Sequence, residues 1–75
     1  MLEEYKDIVE KLMAENPHFA AVVEKHDELD KLITEVEEGR EHMEDLELEK
    51  LKKEKLRLKD EAYAMILEYK KKMTQ

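Results

Sequence analysis

The sequence predicts an all-α protein: an antiparallel helical hairpin, coiled-coil-like, with a short N-terminal helix broken at Asn16-Pro17. Charged residues make up 47% of its 75 residues, with one Gly and one Pro, a composition typical of long helices. Apolar residues recur at three- and four-residue spacings, as on one helix face. Pro17 and Gly39 divide the chain into three helical segments. We treat residues 1–75 as a single domain, with helices at about 2–15, 17–38 and 44–73.

The first helix is predicted from one apolar face and two acidic residues at its start. Glu3 and Glu4 suit the positive N-terminal end of a helix. Asn16-Pro17 ends the segment, because proline has no N–H to donate and disfavours helical geometry in the residue before it. A continuous helix kinked at the proline is the alternative. The apolar face contains Leu2, Tyr5, Ile8, Val9, Leu12 and Met13.

The second helix begins where the first ends. Asn16 is suited to accept a hydrogen bond as N-cap, and Pro17 has a φ already set for the first helical position. Gly39 is predicted to end the helix in the left-handed conformation, which places the chain reversal at 39–44. One stripe contains Phe19, Val22, Val23, Leu29, Leu32, Ile33 and Val36, with His26 between Val22 and Leu29.

The third helix ends in Lys70-Lys71-Lys72, cations that suit the negative end of the helix dipole. Its inward residues are Leu48, Leu51, Leu58, Ala62, Met65, Ile66 and Tyr69, with Leu56 and Tyr63 on the flank. The first helix packs either on the third, near Met65 to Tyr69, or on another copy of the protein. Both arrangements would cover its apolar face.

Folding the second helix against the third about the turn predicts an ion pair between Asp30 and Lys55. Lys55 occupies an otherwise apolar position, where a charge must pair or reach outward. His26 is predicted to form a hydrogen bond across the hairpin. The interaction and structural residues of this interface are Phe19, Val22, His26, Leu29, Asp30, Ile33, Leu51, Lys55, Leu58, Ala62, Met65 and Ile66.

Catalysis and metal binding have little support in the sequence. The absence of cysteine removes thiol nucleophiles and Cys-ligated zinc. His26 and Asp30 stand at metal-ligand spacing, but no further ligand completes a cluster. A carboxyl pKa is shifted for catalysis mainly in a concave, partly dehydrated pocket, and two or three packed helices offer little concave surface. We therefore expect no catalytic residues, no metal, no cofactor and no enzymatic activity.

The charge distribution bears on partners. The net charge is −7, which disfavours general nucleic-acid binding, since that binding depends on neutralising phosphates. The basic stripe Lys50 to Lys59 is the exception, and acidic residues across the hairpin would neutralise it: Glu24, Asp27, Glu28, Asp30 and Glu35. The longest apolar run, Phe19 to Val23, is too short for a membrane span. The acidic start of the chain is unlike a signal peptide, so we expect a cytoplasmic protein without membrane association.

Two groups of residues form a distinctive pattern along the chain. The first is Asn16-Pro17-His18-Phe19 followed by Lys25-His26, Leu29-Asp30 and Ile33. The second is Leu51-Lys52-Lys53, Lys55-Leu56, Leu58-Lys59-Asp60-Glu61 and Ile66. Together they resemble the YdcH-like family of small bacterial proteins of unknown function. The resemblance extends from Leu2 to about Tyr69, and Asp27 replaces the Asn that is common after the histidine. It implies a bacterial source, a helical hairpin and self-association, and supplies no reaction.

The sequence thus favours a non-enzymatic helical interaction protein that forms a homo-oligomer, with a dimer favoured, and that meets an unidentified protein partner. Apolar stripes larger than two helices can cover motivate this hypothesis. The alternative is a nucleic-acid-associated regulator that uses Lys50 to Lys59.

Overall fold

The computed structural model describes residues 5–73 and is helical, with no strand in that range. The predicted all-α class is confirmed. Helix α1 spans Lys6–Glu15, α2 spans Pro17–Glu37 and α3 spans Asp45–Met73. The predicted start of the first helix, including Leu2, Glu3 and Glu4, lies outside the described residues.

Asn16 separates α1 from α2. Its backbone is extended, with φ −127° and ψ 102°, so the alternative of one continuous kinked helix is wrong. Its N–H donates to the carbonyl of Leu12 at 2.8 Å, and its side-chain oxygen accepts from the N–H of Phe19 at 3.1 Å. Asn16 therefore ends one helix and caps the next, and Pro17 follows at the first helical position.

Gly39 ends α2 in the left-handed conformation that the sequence predicts, with φ +83°. The N–H of Gly39 donates to the carbonyl of Val36 at 3.1 Å, and the N–H of Arg40 donates to that of Glu35 at 2.9 Å. These two bonds are the Schellman pattern, which satisfies carbonyls left open at a helix end. The chain then runs without helix to Glu44, and α3 begins at Asp45.

Helices α2 and α3 pack side by side in opposite directions. Three side-chain contacts join them, and the α3 residue falls in number as the α2 residue rises. They are the hydrogen bond of His18 with Glu61 and the ion pairs of Asp30 with Lys55 and of Glu37 with Lys52. The core between and around the helices contains Leu12, Phe19, Val22, Val23, Leu29, Leu58, Ala62 and Ile66. Phe19 and Ile66 are its largest fully buried side chains.

Helix α1 packs within the chain, at the end of the α2–α3 pair opposite the turn. The rings of Tyr5 and Tyr63 meet edge to face, with centroids 5.7 Å apart. The Nζ atom of Lys70 lies 5.5 Å from the centroid of the Tyr5 ring, a cation–π arrangement. Ile8, Val9 and Met13 pack against the core. The structure thus shows α1 packed within the chain against both α2 and α3, which includes the predicted packing on the third helix.

The molecule is elongated, measuring 48 × 21 × 17 Å. Its radius of gyration is 14.4 Å, whereas a compact domain of this length has about 11 Å. Because α1 and α2 pack against one side of α3, the opposite side of α3 is exposed.

Candidate interaction surface

The structure places the predicted interface residues mainly inside the chain. Those that are buried are Phe19, Val22, His26, Leu29, Ile33, Leu58, Ala62 and Ile66. Leu51, Lys55 and Met65 are half-buried, and Asp30 is exposed. These residues hold the helices to one another, so the buried ones are not accessible to a partner.

The predicted pair between Asp30 and Lys55 is present. The Nζ atom of Lys55 donates to a carboxylate oxygen of Asp30 at 2.8 Å. This hydrogen bond, with the positive charge of Lys55, lowers the pKa of Asp30 below its ordinary value. The Lys55 side chain is 31% exposed and that of Asp30 55%, so water screens the attraction. The pair therefore helps to set the register of the two helices and contributes only modestly to the stability of the fold.

His26 has a different partner from the one predicted. It is buried, and its Nδ1 atom lies 3.1 Å from a carboxylate oxygen of Asp27 on the same helix. The predicted hydrogen bond across the hairpin is wrong. Asp30, one turn further on, bonds to Lys55 instead of joining His26. No group of three or more potential metal ligands comes together within residues 5–73.

The basic stripe Lys50 to Lys59 is partly neutralised. Lys52 pairs with Glu37 at 2.9 Å, which raises the pKa of Lys52. Arg57 bonds to Glu54, on its own helix, at 2.7 Å. Lys50, Lys53 and Lys59 form no ion pair within the part of the chain that the structure describes.

The neutralising acids are not the set that the sequence suggested. Of that set, Asp30 reaches the stripe. Glu35 instead receives hydrogen bonds from the Arg40 guanidinium at 2.6 and 3.2 Å, which lower the pKa of Glu35. Glu37, which was not in the set, pairs with Lys52. The partner of Glu35 thus depends on where the turn places Arg40. The register between α2 and α3 does not predict that position.

The side of α3 that points away from the core forms a continuous exposed surface, here called the outer face. It carries three exposed leucines: Leu46 is 71% exposed, Leu56 57% and Leu67 46%. The outer face lies on the side of α3 opposite the buried Leu58, Ala62 and Ile66. All of its residues are exposed, and they are Leu46, Glu49, Lys53, Leu56, Asp60, Ala64 and Leu67.

This surface was not predicted from the sequence. Leu56 was expected on a flank of the third helix, and Leu46 and Leu67 were assigned to no face. A signal was present, because Leu46, Lys53, Asp60 and Leu67 recur every seven residues. Seven residues make about two helical turns, so these four side chains share a face.

The two central charges of this face are Lys53 and Asp60. Neither Lys53 nor Asp60 takes part in an ion pair among residues 5–73. Both remain accessible to a partner, and they are of opposite sign.

A shallow groove, which the sequence did not predict, lies between α1 and α3 and has a volume of about 460 Å³. Its lining contains Leu12, Met65 and Tyr69 together with the carboxylates Glu15, Glu61 and Glu68. Glu61 is already engaged, by the Nε2 atom of His18 at 2.6 Å. The groove therefore combines apolar side chains with carboxylates on the protein surface.

Among the helices that the structure describes, none has a segment long and apolar enough to cross a bilayer.

The comparisons with known proteins agree with the resemblance noted in the sequence. A model of the family described as "Protein of unknown function (DUF465)" matches residues 19–66. The chain is 41% identical over 63 residues to the "Uncharacterized protein YdcH" of Escherichia coli strain K12, covering 81% of this chain and 82% of the relative. The same values hold for the "Uncharacterized protein YdcH" of Shigella flexneri. No solved structure matches the chain. The chain therefore belongs to the YdcH-like family, DUF465, of proteins of unknown function.

Proposed function

We propose that this protein is a non-enzymatic, cytoplasmic helical interaction protein that self-associates as a homodimer and meets a further protein partner through its charged surface. The observation that supports this most is the row of exposed leucines on the outer face of α3. The helices of one chain leave this row uncovered, although they cover the apolar side of α1.

Their position on one side of a single helix distinguishes these leucines from ordinary surface residues. A single exposed leucine needs no explanation, because apolar atoms form much of any protein surface. Leu46, Leu56 and Leu67 share one side of a single helix, and apolar surface concentrated in this way favours association. A chain of this size also gains from a partner, because a small domain buries a small fraction of its surface alone.

The titratable groups of the groove support a non-enzymatic role. General acid–base catalysis uses groups whose pKa values are matched to proton transfer, usually through burial or a confined neighbour. In this groove Glu61 is engaged on the surface, by a hydrogen bond with His18 and an ion pair with Arg57. Such pairs stabilise a helix surface and do not assemble a reacting site.

The direct test is the molar mass of the protein in solution as a function of concentration. Sedimentation equilibrium, or size exclusion coupled to light scattering, should show a mass that rises toward a dimer from low to high micromolar concentration. Dilution of the concentrated sample should return the monomer. A mass that stays at one chain throughout the series would contradict the proposal.

The nucleic-acid alternative makes a different prediction. It requires the cations of Lys50 to Lys59, of which Lys52, Lys55 and Arg57 already have carboxylate partners. It predicts binding to a labelled duplex at low ionic strength that weakens steeply as salt is added. Absence of binding at low salt would remove it, and salt-sensitive binding lost in Lys50→Gln/Lys59→Gln would favour it over self-association alone.

A further inference from the structure

We infer that the partner surface for the outer face of α3 is the same face of a second copy, packed antiparallel about a two-fold axis between Leu56 and Arg57. This inference rests on the proposed self-association and adds the interface and its direction. It follows from the order of apolar and charged residues along the outer face.

The outer face is symmetric about one point. Leu46 and Leu67 are equally distant from the position between Leu56 and Arg57, and so are Lys53 and Asp60. A two-fold axis at that position reverses the second helix. It places Leu46 of each copy opposite Leu67 of the other, and Lys53 opposite Asp60, with each contact made twice, as a two-fold interface requires.

Charge selects this direction over the parallel one. A parallel, in-register dimer would place Lys53 opposite Lys53 and Asp60 opposite Asp60, which is repulsive at both levels. The antiparallel arrangement pairs two charges that have no ion-pair partner within residues 5–73. Glu49 then faces Ala64, so among the members of the outer face this register brings no like charges opposite each other.

The size of the surface sets the expected strength. One face of one helix is smaller than a standard interface, which buries about 1,600 Å² in total. The leucines at both ends and Leu56 at the axis supply its apolar contacts. We therefore expect a dimer that dissociates on dilution in the micromolar range and not a permanent one.

Charge reversal tests the pairing. Lys53→Asp places like charges opposite each other twice, and so does Asp60→Lys, so each variant alone should dimerise at least tenfold more weakly than the wild type. An equal mixture of the two variants should form a heterodimer, because the carboxylate introduced in one chain then faces the ammonium introduced in the other. The double variant Lys53→Asp/Asp60→Lys should recover the homodimer. Sedimentation equilibrium measures all four samples.

Lys59→Asp is the matched control, because it makes the same charge change at an exposed α3 position outside the outer face. It should dimerise as the wild type does. A wild type that dimerises while Lys53→Asp and Asp60→Lys dimerise equally well would overturn this interface and leave the proposed function standing. A wild type that remains monomeric would overturn both.

A single introduced cysteine tests the direction independently, since the chain has no cysteine of its own. Leu56→Cys lies beside the two-fold axis and should give a disulfide-linked dimer under mild oxidation. Leu46→Cys should not, because antiparallel packing separates its two copies by about 30 Å at a rise of about 1.5 Å per residue. Crosslinking of both variants would indicate parallel packing, and crosslinking of neither would place the interface elsewhere; either result overturns the inference.

Discussion

Gly39 shows how one residue decides where the chain reverses. Its φ of +83° lies in the left-handed region, which side chains with a Cβ rarely adopt. A Cβ built at this position would meet no atom within 4 Å. Replacement is therefore opposed by the backbone conformation and not by crowding.

Gly39→Val should lower the free energy of unfolding by about 1–2 kcal/mol, because a left-handed conformation costs that much for a residue with a Cβ. Gly39→Asn should cost less, since asparagine adopts this conformation more readily. Thermal and urea denaturation followed by circular dichroism measure both. Equal stability of the valine and asparagine variants would mean that the left-handed geometry at residue 39 does not limit the turn.

The pair of Asp30 and Lys55 gives a pH-dependent prediction. Lys55 holds the pKa of Asp30 below its ordinary value of 3.8, so the unfolded chain takes up the proton first as pH falls. The contribution of the pair is present at neutral pH and is lost as pH falls through the lowered pKa. Asp30→Asn should therefore cost less than about 1 kcal/mol at neutral pH, as exposed pairs do, and less still in acid.

Urea denaturation of the wild type and Asp30→Asn, at about pH 7 and about pH 3, measures this difference. The double-mutant cycle with Lys55→Met isolates the interaction from other effects of each change. A difference between wild type and Asp30→Asn that is equal at both pH values would assign the effect to packing or solvation of the side chain.

At the scale of single residues, sequence reasoning succeeded where the backbone restricts the choice and failed where side chains select among neighbours. The Asp30–Lys55 pair follows from the helix register once Gly39 fixes the turn. The partner of His26 does not, because Asp27 beside it competes with groups across the hairpin. Glu35 likewise accepts a hydrogen bond from Arg40, because the left-handed conformation of Gly39 places Arg40 beside the end of α2.

At the scale of the helices, Asn16 serves two elements with one residue, since it ends α1 and caps α2. Asn16→Ala should lower the free energy of unfolding by about 1 kcal/mol, because the N–H of Phe19 loses its acceptor. Asn16→Asp keeps an acceptor oxygen and should remain close to the wild type. Denaturation of the three proteins under the same conditions measures both changes. A destabilisation of Asn16→Asp equal to that of Asn16→Ala would contradict the capping role.

The helices were predictable to within about a residue at the turn, because Gly39 and the Asn16-Pro17 pair are specific end signals. The packing of α1 was not, since an amphipathic helix specifies which face is buried and not what covers it. Leu46 and Leu67 were missed for a related reason. The stripe of α3 that meets α2 accounts for most of its apolar residues. A second stripe on the opposite side can be recognised only once the first is known to be covered.

At the scale of the whole molecule, the elongated shape gives α3 two different sides. Its core side meets α1 and α2 through Leu58, Ala62 and Ile66. No helix within residues 5–73 packs over its outer side, although Ala64 at the edge of that side also lines the groove beside α1. The fold therefore uses one side of α3 for its own packing and leaves the outer face exposed, which is the surface that the proposed dimer would use.

The position of Ala62 tests how closely the helices pack in this arrangement. Ala62 is fully buried beside Phe19 and Ile66, so a larger side chain has no free volume to enter. Ala62→Leu should lower the free energy of unfolding by about 1–3 kcal/mol through overpacking, although leucine favours burial. Ala21→Leu makes the same change at an exposed position of α2 and should stay within about 0.5 kcal/mol of the wild type. Urea denaturation at one protein concentration separates the two, and equal stability of both variants would show that α2 and α3 can move apart at Ala62 without cost.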